Sequence, residues 1–102
     1  AQELVKIAKL LSAEELDGSL EVWFESSVLS PDDTYRLERK MTDIVRREGG
    51  IIAGNGGVNS AGMWTISYEV PFSRLVRLRD SIRRLPEWRI PSSRGGGMIK
   101  ME

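Results

Sequence analysis

Leu20-Glu21-Val22-Trp23-Phe24-Glu25 is the stretch that decides the architecture of this 102-residue chain. Leu20, Val22 and Phe24 alternate with Glu21, Trp23 and Glu25, and successive side chains of a strand point to opposite faces. One face is therefore apolar, and the other is acidic apart from a single indole. A strand written this way is buried on one side only. The reading carries it from Leu20 to Val28 and implies a sheet with helices on one face.

Working outward toward the C-terminus, Ser30-Pro31-Asp32-Asp33 opens a helix. Ser30 is a capping residue, Pro31 has the φ of a first turn, and the aspartates suit the positive end of the helix dipole. Leu37, Met41, Ile44 and Val45 form its apolar stripe, and Gly49-Gly50 ends it. Ile51-Ile52-Ala53 reads as a short strand, Gly54 to Gly62 as a long glycine- and asparagine-rich hairpin loop, and Met63 to Val70 as a second strong strand. Trp64, Ile66, Tyr68 and Val70 share one side of that strand. Pro71 stops pairing, and Leu75, Leu78, Ile82 and Leu85 are spaced for a second buried helix face. Trp88-Arg89-Ile90 reads as the last strand, with Met98 to Met101 as an edge strand or a tail. Toward the N-terminus, Leu4, Ile7, Ala8 and Leu11 lie at helical spacing, and Ser12 with Glu15 forms a capping box.

The order is a helix followed by β-α-β-β-α-β. Two interleaved βαβ units of this kind give a four-stranded antiparallel sheet with two helices on one face. The arrangement resembles the ferredoxin-like fold, and also many ribosomal, ACT-like and small regulatory domains, in architecture alone. The expected layout is a single domain over 1–102. It comprises an appended helix over 1–18, a ferredoxin-like core over 19–91 and a C-terminal tail or edge strand over 92–102.

Composition narrows the chemistry. The chain has no cysteine and no histidine. Thiolate chemistry, sulfur-based zinc sites and histidine-dependent triads are thereby removed, and the expectation is a non-enzymatic domain without metal or cofactor. Cysteine absence is compatible with a reducing cytoplasm, although a mature secreted form fits as well. No apolar run approaches the roughly 18 residues of a membrane span, so no membrane partner is expected. Residues 1–35 carry two Lys and eight Asp/Glu, whereas residues 71–102 carry eight Lys/Arg and three Asp/Glu. The expectation is that folding interleaves these halves and cancels most of the field.

The candidate surface follows from the opening alternation. If Leu20, Val22 and Phe24 meet the helices, then Trp23, Glu21 and Glu25 stand on the open face, joined by Met63 and flanked by Asn55 and Asn59 of the glycine hairpin. An exposed indole among polar groups suits a protein partner, or a second copy of the chain. Carboxylates beside the single aromatic argue against the RNA-stacking sheet of an RRM. Glu69 is expected across from Glu21 and Glu25, where paired carboxylates do acid–base work in some enzymes. A competing reading assigns Arg74, Arg77, Arg84, Arg89 and Arg94 to nucleic-acid phosphates. A third is an ACT-like dimer that senses a small molecule.

Overall fold

A computed structural model describes residues 15–89, 91 and 97–102. The chain is α+β: an antiparallel sheet with two α-helices on one face. In chain order the elements are β1 (Gly18–Glu25), α1 (Pro31–Arg47), β2 (Ile51–Val58), β3 (Met63–Val70), α2 (Leu75–Arg83) and β4 (Met98–Met101). Short 3-10 turns cover Phe72–Arg74 and Pro86–Trp88. The sheet order is β2-β3-β1-β4, and every neighbouring pair is antiparallel.

The alternation of β1 is realised as written. Leu20, Val22 and Phe24 are fully buried, while Glu21 and Trp23 are half-buried and Glu25 is exposed. Opposite them on β3, Trp64, Ile66, Tyr68 and Val70 face the same core. Leu37, Met41 and Val45 of α1 and Leu75, Leu78 and Ile82 of α2 close over it. Phe24 stacks on Trp64 with centroids 4.7 Å apart and meets Trp88 edge-on at 6.5 Å. Such ring pairs add about 0.5–1.5 kcal/mol beyond their buried area.

Helix α1 begins as its sequence dictates. Ser30 Oγ accepts from the Asp33 amide at 3.1 Å, Pro31 occupies the first turn, and Asp32 and Asp33 sit at the positive end of the dipole. Its stripe contains one polar member, Thr42, whose hydroxyl lies 3.0 Å from the Tyr68 hydroxyl inside the core. At its C-terminal end Gly50 lies where a Cβ would stand 2.6 Å from Val45 Cγ1 and 2.7 Å from Val70 Cγ1. The glycine lets the chain turn flat against the core before β2.

Four expectations change. The first strand ends at Glu25 and does not reach Val28, because residues 26–28 turn and the Val28 amide donates to the Glu25 carbonyl at 3.1 Å. The run from Gly54 to Gly57 is not loop: β2 continues through it to Val58, with register shifts at Ala53 and Gly56, and only residues 59–62 form the turn. Glycine reads as a breaker in sequence, yet at a sheet edge it accommodates bulges at little cost. Trp88 is not a strand residue; it closes a 3-10 turn after Pro86, and its indole is buried edge-on against Phe24. The fourth strand is Met98–Met101, so the sheet extends past residue 91, where the sequence reading closed its core. The appended helix expected over 1–18 lies mostly outside the described residues, and Glu15 to Asp17 are irregular before β1 opens at Gly18.

Candidate functional site

The face of the sheet away from the helices is covered by no other described element, and register arranges it in rows. Directly opposed residues of antiparallel strands point to the same side. One row runs Gly57, Thr65, Trp23, Met98 from β2 across to β4. The next runs Gly54, Ser67, Glu21, Lys100. A third joins Ile51, Glu69 and Ser19, and backbone hydrogen bonds of 2.8 and 2.9 Å set Glu102 opposite Ser19. Glu25 and Met63 pair at the far end.

Trp23 is the centre of this face, and its indole is held in place. Its Nε1–H donates to Glu21 Oε2 at 3.0 Å, and the Lys100 ammonium lies 5.1 Å from the ring centroid. A cation over an indole face is attracted by the ring quadrupole. Met98 and Ile51 extend the apolar part of the face and are 51% and 48% exposed. Ser67 follows from the alternation of β3, whereas Lys100, Met98 and Ile51 escaped the sequence reading because their membership depends on register. The alternation of Met98 to Met101 was legible, but nothing in it says which strand it borders.

The other expected members fare unevenly. Glu21, Trp23, Glu25 and Met63 share the open face, as the alternation requires. Glu69 does not sit across from Glu21 or Glu25; it opposes Ser19, so the three carboxylates are strung along the sheet and do not form a pair. Among the described residues no group of His, Cys, Asp or Glu side chains could hold a metal ion. Asn59 turns its side chain inward on the hairpin: Oδ1 accepts from the amides of Ala61 and Met63, both at 3.0 Å. Asn55 belongs to β2 by its backbone, and its side chain lies outside the described residues.

The arginines do not form one surface. Arg74 and Arg77 converge on Glu48 at 2.8 and 3.3 Å, tying α2 to the end of α1. Arg79 pairs with Asp80, Arg84 and Arg89 are exposed at the end of α2 and beyond it, and Arg94 lies outside the described residues. Lys40 likewise meets Glu87 at 2.5 Å. These pairs join residues within the helical layer. On the open face Lys100 is the one cation among the described residues, beside Glu21, Glu25, Glu69 and Glu102.

A separate cleft of about 330 Å³ lies between α1 and β2, lined by Leu29, Tyr35, Val58 and Trp64 with Ser26, Thr34 and Glu38 among its polar groups. No helix of the described residues is long and apolar enough to cross a membrane. No protein-family model, curated protein or solved structure matches this chain.

Proposed function

We propose that the chain is a ferredoxin-like domain that works without catalysis, by binding a protein partner on the open face of its sheet. The fold part of the reading rests on the strand order β2-β3-β1-β4 together with the β-α-β-β-α-β succession. The functional part rests on one observation. Of the three tryptophans, Trp64 and Trp88 are sealed at 6% and 4% exposure, whereas Trp23 is only partly buried, between Met98 and Thr65. An indole left partly at the surface beside a methionine and ringed by polar groups is the composition of an interface anchor.

The test compares what wild type and Trp23→Ala retain when each is used as bait in an extract of the native host. Loss of a partner seen with wild type is expected, with unfolding midpoints of the two proteins within a few degrees. A partner retained equally by Trp23→Ala would end the reading.

A further inference from the structure

Gly54 borders the bulge at Ala53, but among the described residues neither its φ nor steric crowding demands a glycine there. Its φ is not positive, unlike that of Gly57, and a Cβ built on it would meet no atom within 4 Å. Glycine within a strand gives up conformational entropy and side-chain packing, and it often marks close approach of another backbone or ligand. Gly54 lies on the open face in the row of Ser67, Glu21 and Lys100, one row from Trp23. The side of the sheet toward β2 is thereby a low shelf of Gly54, Gly57, Ser67 and Thr65, with the indole rising at its border.

Charge selects what can lie on that shelf. Glu21 and Glu69 border it and Glu25 and Glu102 lie farther out on the same face, with Lys100 the one cation there among the described residues. Nucleic acid would bring phosphates toward carboxylates. A second copy docked face to face about a two-fold axis would bring the same net acidic patch against itself, since such an interface pairs one patch with its own copy. A cationic segment meets neither obstacle, and the ring of Trp23 already holds an ammonium, that of Lys100.

From these observations we infer that the open face receives an extended segment of another protein rich in Lys or Arg, its backbone lying over Gly54 and its flank against Trp23. The inference rests on the open-face reading above and names the partner's chemistry. Each basic side chain of the segment pairs with a glutamate of the face, and the missing side chain at Gly54 is what lets the backbone come close.

The test pans a random peptide library displayed on phage against the whole 102-residue chain, then measures the enriched peptides by fluorescence anisotropy with wild type, Trp23→Ala, Gly54→Val and Glu21→Gln/Glu69→Gln. The expected peptides carry an excess of Lys and Arg over Asp and Glu. Their affinity falls at least about tenfold in Gly54→Val and in the double glutamine variant, a loss typical of a central contact. Gly54→Val keeps or raises the thermal midpoint, since valine suits a strand, so its loss of binding is not misfolding. No enrichment, acidic peptides, or full affinity in Gly54→Val would overturn the inference. Binding lost in Trp23→Ala yet kept in Gly54→Val would refute the basic segment and leave the open face standing; indifference to both variants would remove both. Sedimentation showing wild type alone self-associating, and Gly54→Val not, would identify a second copy as the occupant and overturn the inference.

Discussion

Raising the pH past the tyrosine range should unlock the core at one hydroxyl. Tyr68 is fully buried with its OH 3.0 Å from that of Thr42, and its pKa is pushed up from 10.0 to about 12, chiefly by burial, with the hydrogen bond between the two hydroxyls working in the opposite sense. Because the folded value is the higher one, the protonated phenol's contribution is fully present below the unfolded pKa and is lost as pH rises through the folded value. The window is therefore about pH 10 to 12. A two-unit shift corresponds to about 2.7 kcal/mol at the limit, and roughly 2 kcal/mol is already gone when pH reaches the folded value. Comparison with the Tyr68→Phe variant isolates this hydroxyl from everything the two proteins share. Near neutral pH it should be less stable than wild type by about 1–3 kcal/mol, since Thr42 is left buried without its partner. As pH passes through the window, the stability difference between the two proteins should shrink by about 2 kcal/mol. Urea unfolding at successive pH values measures it. In a Tyr35→Phe background Tyr68 is the remaining tyrosine, so ultraviolet difference absorbance reads its ionisation directly. A midpoint near 10, or a stability difference that stays constant through the window, would refute the argument.

Two further outcomes test how the layers are joined. Gly50→Ala places a methyl 2.6 Å from Val45 Cγ1 and 2.7 Å from Val70 Cγ1; it should cost about 1–3 kcal/mol by overpacking, read as a lowered calorimetric midpoint, and an unchanged midpoint would mean that the turn relaxes freely. The Glu87 carboxyl is held below its ordinary pKa first by the hydrogen bond from Lys40, so its contribution is present above the unfolded value and is lost as pH falls through the lowered folded one. Lys40→Met should therefore be less stable than wild type near neutrality by a fraction of a kcal/mol, as for a half-exposed pair, and the two urea midpoints should converge in acid; a gap that persists in acid would assign the loss to packing of the lysine stem.

Elements with strong local signals were legible, and those set by distant contacts were not. The alternation of Leu20 to Glu25 and the cap at Ser30 carry their own physics, and both appear as written. Gly54 to Gly57 misled because propensity counts glycine as a breaker wherever it stands, while a sheet edge tolerates the bulges that glycine permits. Trp88 misled because an aromatic in a short run suits a strand, whereas here the pull of the core on its ring decides its conformation. The site divides along the same line. Trp23 and Glu21 could be assigned to a face from one strand alone. Lys100, Met98 and Gly54 needed the pairings of β1 with β4 and of β3 with β2, which no local pattern encodes.

The state of Trp23 before any partner arrives bears on how strongly the face can bind. An exposed indole would ordinarily sample several rotamers, and ordering such a side chain at an interface costs about 0.5–1.5 kcal/mol. Here the Nε1–H is fixed to Glu21 at 3.0 Å and the ring lies against the Lys100 ammonium at 5.1 Å. Both neighbours sit on strands whose pairing sets their positions, with Glu21 directly opposite Lys100. Much of that ordering cost is thus met during folding, and a partner of the proposed kind would meet an indole already aimed. The same arrangement limits which partner of the proposed kind would benefit: a cation is drawn to Glu21, whereas an anion would draw the Lys100 ammonium away from the ring it lies against. Preorganisation and charge on this face therefore favour the same class of partner.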